Sequence, residues 1–315
     1  MQTQTAQQQC LSHTLQQPSA DVHEVVTQLC KKIRQQGDHP YATVQQQIDM
    51  VQQLAQFGIG QYLLLHRGLN AHWSRYLKLL YPEKYRALGT NIDGEPFTPM
   101  ESWYLNTPPA QATQESWRWC REQLQQHVCD GATLASVPCG ALDDLLELNF
   151  ANCRNISLIG VDVDPDALRL AQENVQAYGL SKSVKLLQAD AWNMHVNGEW
   201  DVLTSKGLAG YEPDPKRLLQ LYQQFYQALK PQGILITNLW VPRENWPTSN
   251  TSLSAKQRYD LQLFEVLTRH ILQVRWSYTT QEKVHQLLQQ AGFTDICFQP
   301  SSSGICIFTT ARRAS

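Results

Sequence analysis

Ala135-Ser136-Val137-Pro138-Cys139-Gly140-Ala141-Leu142-Asp143-Asp144 is the stretch on which the reading of this sequence turns. Thr133 to Val137 is a short strand-like run, Gly140 breaks it, and a helix-period segment follows from Asp143 to Asn149. A strand that runs through a tight turn into a helix is where open α/β sheets bind nucleotide-like ligands. One glycine there is a weak mark by itself. A second residue strengthens it: Asp162, at the end of the next strand-like run (Ile156 to Val163), lies 22 positions after Gly140. That is close to the spacing expected of a carboxylate that bonds a ribose hydroxyl. Together the two features point to an adenosine-type cofactor.

NAD is the rival ligand for such a turn, but its pyrophosphate needs glycines for close backbone approach and a helix N-terminus free to attract anions. The G-x-G-x-x-G is absent, and Asp143 and Asp144 stand in the first helical turn, where they suit the helix dipole but repel a diphosphate. Plain helix capping accounts equally well for either aspartate taken singly. S-adenosylmethionine (SAM), which has no phosphate and carries an ammonium and a sulfonium, tolerates an acidic, glycine-poor turn.

The same alternation repeats downstream. Strand-like runs at Val184 to Gln188, Asp201 to Ser205 and Gly233 to Leu239 are interleaved with helix-period segments at Pro165 to Tyr178 and Pro215 to Leu229, the pattern of a βαβ sheet. Pro165 suits a first helical position and Gly179 a left-handed closing residue. A last helix, Thr280 to Ala291 closed by Gly292, leads into Asp295 to Gln299 and Ile305 to Thr309, joined by the turn Pro300 to Gly304. So tight a hairpin makes the final two strands antiparallel.

Upstream of Gly131 the pattern is helical. Tyr41, Val44, Ile48, Val51 and Leu54 recur at three- and four-residue steps, with Gln-rich faces that read as solvated. The prolines and glycines of Gly89 to Pro109 read as a loop or linker, and a further helix is expected from Thr113 to about Val128. The expected organisation is an all-α domain over residues 1–110, which either caps the site, the favoured role, or makes a dimer, and an α/β domain over 111–315, in keeping with the usual domain size.

A formal net charge of -2 disfavours nucleic acid as a substrate, since that partner normally requires a basic excess or stripe. No apolar run reaches membrane-spanning length, and Met1 to Gln9 is polar and Gln-rich, without the pattern of a secretory leader. The eight cysteines form no C-x-x-C pair with a matching second pair, which reads as reduced thiols in a cytoplasm and no structural zinc. The expectation is therefore a soluble cytoplasmic protein, monomer or homodimer, that binds neither membrane nor nucleic acid.

Taken in order, Ser-Val-Pro-Cys-Gly (136–140), Gly-Val-Asp-Val-Asp-Pro (160–165), Gln-Ala-Asp-Ala-Trp (188–192), Leu-Lys-Pro-Gln-Gly-Ile-Leu (229–235) and the closing hairpin resemble the seven-stranded, Rossmann-like class I SAM-dependent methyltransferases. The resemblance covers about residues 112–311 and is specific in the sum of its elements. His66 to Asn70, Ala112 to Glu115 and Gly207 to Glu212 further resemble a bacterial subgroup with a helical N-terminal extension. The resemblance implies that Pro138, Cys139 and Gly140 lie against the methionine end of SAM, that Asp162 holds the ribose, and that Val163 lies under the adenine. It also implies that Asp190 and Ala191 read the adenine edge, that Trp192 covers the ring, and that Ser205 faces the transferring methyl.

The chain departs from that family in its single glycine in the first motif and in the fourth strand, which ends Thr-Ser-Lys-Gly. That ending lacks the Asn-Pro-Pro-Tyr of DNA adenine methylation and the carboxylates a metal-dependent catechol enzyme needs for its ion, so no metal is expected. Methyl transfer is an in-line displacement that needs alignment and exclusion of water, with a base only for a protonated acceptor. Tyr211, Glu212, Asn238 and His66 are the candidates for acceptor contact or proton removal. Glu212, before Pro213 and Asp214, reads first as a surface or capping acid, and His66 first as structural. Trp103, Trp192, Trp240 and Trp246 are candidates for an aromatic pocket, whereas Trp117 and Trp119 read as interdomain core. Val241 to Ser254 reads as a mobile loop over the site. The leading expectation is methyl transfer to a small molecule, yielding S-adenosylhomocysteine (SAH); a protein methyltransferase and a non-catalytic SAM-fold interaction module are the alternatives.

Overall fold

Strands β1 (Thr133–Ser136), β2 (Ser157–Asp162), β3 (Val184–Gln188), β4 (Trp200–Ser205), β5 (Leu229–Trp240), β6 (Phe293–Pro300) and β7 (Cys306–Arg313) form one sheet in the order β3-β2-β1-β4-β5-β7-β6. This computed structural model describes residues 21–246 and 253–315, so the expectations for Met1 to Gln9 and for the middle of the Val241 to Ser254 loop lie outside the described residues. The first five strands are mutually parallel, and β7 pairs antiparallel with both β5 and β6. Strands β1 and β4 are covered on both faces, which is why they read as apolar runs: Leu134, Ala135, Val202 and Leu203 are all buried.

Helices α8 (Asp143–Leu146), α9 (Pro165–Ala177), α10 (Pro215–Ala228) and α12 (Gln281–Ala291) flank the sheet. α9 and α10 start alike: Asp164 and Asp214 cap them through the N–H groups of Asp166 and Lys216, and Pro165 and Pro215 supply the preset φ of a first turn. One apolar cluster, with Trp200, Leu221, Tyr222 and Phe225, fills one face of the sheet, and a second, with Leu124, Leu134, Leu145 and Leu158, fills the other.

Above the carboxyl ends of the strands lies a helical layer. It contains α1 (Val22–Gln36), α2 (Val44–Leu54), α3 (Gly58–His66) and α4 (Ala71–Arg75), the last continuing through a π-helical segment, Tyr76–Tyr85, into α5 (Arg86–Leu88). Then come α6 (Pro99–Leu105) and α7 (Pro108–Gln125). The core of this layer also takes Val266, Leu267, Ile271 and Leu272, from a π-helical segment (Val266–Ile271) that follows α11 (Ala255–Glu265). Chain from beyond β5 thus folds back into the N-terminal helices. No helix among the described residues is long and apolar enough to cross a membrane.

Two local expectations are corrected. The segment Gly89 to Pro109 is not all loop: it holds α6 and the start of α7. The Thr98 side chain accepts the N–H of Glu101 and Pro99 takes the first helical position, a strong N-terminal signal. Nor do Asp143 and Asp144 cap α8. The capping position belongs to Leu142, which makes no side-chain cap, and both aspartates are drawn inward to cations.

Candidate active site

The sheet order reverses at β1, whose neighbours are β2 and β4, and a cavity of about 400 Å³ opens over the carboxyl ends of these strands. This is the switch point at which open α/β sheets bind ligands. The loop after β1 forms part of the floor with Pro138, Cys139 and Gly140, and the end of β2 adds Asp162 and Val163. The helical layer roofs it with Leu63, Leu69, Leu77, Lys78 and Tyr104. A third wall is aromatic, with Tyr211, Trp240, Trp246, Phe264, Trp276 and Tyr278.

The turn after β1 is held by its neighbours rather than by glycines. Cys139 N–H donates to the carbonyl of Val161 (2.8 Å), and Asn174 Nδ2 donates to the carbonyl of Ala141 (2.9 Å). Gly140 has φ +52°, and Leu142, at φ +62°, takes a left-handed conformation where a glycine would be unstrained. Leu142 is fully buried, and packing its side chain into the core below β1 offsets that strain.

The Asp162 carboxylate accepts from Gly140 N–H (2.9 Å) and Asp164 N–H (3.1 Å). Burial pushes this carboxyl up, and the backbone donors of Asp164 and Gly140 oppose the shift. A carboxylate so fixed still presents lone pairs to the cavity it lines.

Beneath the floor lies a polar knot. Asp144 Oδ2 accepts from Ser136 Oγ (2.9 Å), Thr204 Oγ1 (2.7 Å) and Lys206 Nζ (2.7 Å). Lys206 Nζ also lies 3.5 Å from Cys120 Sγ. Burial alone would raise the Asp144 carboxyl, but the ammonium groups of Lys206 and Lys78 outweigh it and hold the group at about 2. Asp143, buried on the other side of the turn, lies 2.8 Å from Arg75 Nε of α4.

Pro138, Cys139, Gly140, Asp162, Val163, Tyr211 and Asn238 are brought together on the cavity wall. Asp190, Ala191, Trp192, Ser205, Glu212 and His66 are not part of that wall. Ser205 is buried, with its carbonyl accepting from Thr237 Oγ1 (2.7 Å). Glu212 is a buried partner of Arg217 (2.7 Å) rather than a surface acid, and Arg217 lies over the Trp192 ring, whose Nε1 donates to the Arg217 carbonyl (2.8 Å). This network ties the turn after β3 to the start of α10. His66 stacks on Tyr62 with centroids 4.1 Å apart. Burial pushes the Tyr211 phenol up, so at neutral pH it is a hydrogen-bond donor and not a base. Asn238 Oδ1 accepts from Gly207 N–H (3.1 Å) and so fixes the loop after β4.

The sequence reading missed Lys78, Lys206, Trp276 and Tyr278. Lys78 interrupts the apolar run Tyr76-Leu77-Lys78-Leu79-Leu80-Tyr81, a position that an exposed helix face would not give it.

A family model described as "Methyltransferase domain" matches residues 129–292. The chain belongs to this methyltransferase family. Among solved structures it is similar to a possible exported protein from Bordetella parapertussis, at 33% identity and TM-score 0.85, covering 94% of this chain and 97% of that one. It shares its fold with the S-adenosylmethionine-dependent methyltransferase SibL, at 16% identity and TM-score 0.52, over 85% of this chain and 74% of that one. Among curated proteins, a ribosomal protein L11 methyltransferase from Rhizobium rhizogenes is 23% identical over 143 residues, 44% of this chain and 47% of that protein. The methyltransferase spans less than half the length of the curated relatives it matches.

Proposed function

We propose that this methyltransferase transfers a methyl group from SAM to a small molecule with an apolar, aromatic or acyl body. The observation that carries the reading is the continuity of one cavity, in which Pro138, Cys139, Gly140, Asp162 and Val163 meet a wall of aromatic rings under a helical roof. The residues present suit SAM: Asp162 offers a fixed carboxylate for ribose hydroxyls, and the loop at Cys139 and Gly140 exposes backbone beside it. When bound, SAM supplies an electrophilic methyl on sulfur and leaves as the neutral thioether SAH.

The chain's own part is to position and to exclude water. Leu63, Leu77 and Tyr104 close the cavity from above, while Trp240, Trp246 and Trp276 hold a flat or extended acceptor by apolar contact. The half-buried Tyr211 phenol, on the cavity wall, is placed to donate a hydrogen bond to an acceptor oxygen or nitrogen. Of the four candidates for proton removal, Glu212 is committed to Arg217 and His66 stands away from the cavity, so neither is assigned as a base. The adenine-edge role for Asp190, Ala191 and Trp192 and the methyl-facing role for Ser205 rest on the resemblance alone, since none of the four lines the cavity.

In domain terms, the described helices of the expected 1–110 domain act as a cap on a catalytic unit over 111–315, because their residues contribute to the wall of the cavity itself. Seven described cysteines are free thiols, which suits a reducing compartment, and we place the activity in the cytoplasm. The name of the Rhizobium relative suggests a protein acceptor, but a side chain of a folded protein requires an open groove, and here the floor is roofed by helices.

The test is transfer from methyl-tritiated SAM in an extract of the source cells, followed by separation of small molecules from protein. Label in the small-molecule fraction that depends on this chain is the expected result; label confined to protein would overturn the acceptor class.

A further inference from the structure

Among the described residues, every charged side chain in the wall of the cavity but Lys78 has a hydrogen-bond or close ion-pair partner. Lys206 pairs with Asp144 at 2.7 Å, Arg269 lies 3.6 Å from Glu265, and Asp162 and Asp164 accept backbone N–H groups. Lys78, from the π-helical part of the roof, makes no hydrogen bond or ion pair with any described residue, although it lines the cavity. Its charged neighbours are Asp143, Asp144 and Lys206, and both aspartates are already paired, with Arg75 and Lys206. Three cations therefore face two carboxylates in this corner. One positive charge is left over, in a cavity whose wall also holds Leu63, Leu77 and Trp117. Burial pulls this ammonium below the ordinary lysine range, and the two aspartates, shared with Arg75 and Lys206, offset that only in part. An anion from the ligand offsets the remainder.

We propose that Lys78 is the receptor for a ligand carboxylate in this cavity. The proposal rests on the reading that the cavity takes SAM and a small acceptor. The surplus of one charge fits a monoanion; a phosphate dianion would meet Asp144, Asp162 and Asp164, all lining the same cavity, without an arginine fork or a glycine-rich cradle to hold it. The carboxylate comes either from the amino-acid end of SAM or from the acceptor.

Calorimetry on the full chain and on Lys78→Met separates the sources. The probes are SAM against decarboxylated SAM, and 3-phenylpropionate against its amide. If the cofactor supplies the group, Lys78→Met weakens SAM by about 10- to 100-fold and leaves decarboxylated SAM within twofold of wild type. If the acceptor supplies it, SAM is unchanged, and 3-phenylpropionate loses affinity while its amide does not. Lys78→Arg retains part of the affinity in either arm. Thermal melts of the ligand-free Lys78→Met protein establish that it is folded; Lys78→Gln repeats the measurement if Met fails to fold.

Equal loss for a carboxylate and its neutral counterpart, or no loss for either carboxylate, overturns the proposal. In that case SAM binding by the wild type leaves the methyltransferase reading standing. A folded wild type that binds neither SAM nor decarboxylated SAM overturns the reading and the proposal together.

Discussion

Breaking the Asp144–Lys206 pair tests how the floor of the cavity is held. Asp144 is 2% exposed and its Oδ2 gathers the Ser136 and Thr204 hydroxyls and the Lys206 ammonium. Removing one partner of a buried, hydrogen-bonded pair leaves an uncompensated charge, at a cost of about 3–5 kcal/mol. Lys206→Met and Asp144→Asn are each expected to lose about that much, a large share of the roughly 5–15 kcal/mol that holds a domain folded. Asp144→Leu combined with Lys206→Met removes both charges and leaves only the two hydroxyls short of an acceptor, at about 1 kcal/mol each. The double variant is therefore expected to be more stable than either single one.

Urea unfolding followed by tryptophan fluorescence at neutral pH gives all three values. The pH dependence supplies a second readout. Because the folded carboxyl is held at about 2, below its ordinary 3.8, its contribution is complete above that ordinary value and disappears as pH falls towards 2. The Asp144→Asn protein lacks this part of the acid limb. A double variant whose loss equals the sum of the single losses would refute the argument, since the two groups would then act independently.

Leu142→Gly should relieve a left-handed backbone, worth about 1–3 kcal/mol, yet lose a fully buried side chain worth about 2–5, so the same urea assay is expected to show net destabilisation. In Gly210→Ala the new Cβ would meet Trp276 Cζ2 at 2.5 Å, forcing the ring to shift; acceptor turnover should fall while SAH affinity, by calorimetry, stays within twofold. In Gly160→Ala the Cβ would meet Leu186 Cδ2 at 2.7 Å and Cys139 Sγ at 3.1 Å, so here SAH affinity should fall and the melting temperature with it.

The central strands were legible because β1 and β4 are covered on both faces and read as apolar runs, and the edge strand Val184–Gln188 also falls where the sequence puts it. β5 is longer than its apolar run because it begins with Leu229-Lys230-Pro231-Gln232, where polar residues reach solvent at the sheet end. The helix at Pro99 was hidden by counting prolines and glycines, although Thr98-Pro99-Met100-Glu101 carries a capping signature.

At the site, the turn after β1 and Asp162 were readable because local chain geometry fixes them. The partners of Asp143 and Asp144 were not: Arg75 and Lys206 come from 68 and 62 positions away, and no local pattern couples such residues. The network of Glu212, Arg217 and Trp192 was likewise invisible, since it depends on a guanidinium packed over a ring across two loops. The aromatic wall from Trp276 and Tyr278 arises from chain in which Val274, Trp276 and Tyr278 alternate with polar residues like a strand, yet no strand forms there and its place is set only by the fold.

The central claim is that Asp162 and the Pro138–Gly140 turn hold SAM. Calorimetric titration of wild type, Asp162→Asn and Asp162→Ala with SAM and SAH tests it most directly, with thermal melts to establish that each variant is folded. The account predicts that wild type binds both ligands and that the folded variants bind them about 10- to 100-fold more weakly, the worth of hydrogen bonds to a charged group. A folded wild type that binds neither ligand, or variants that bind both as wild type does, would contradict it.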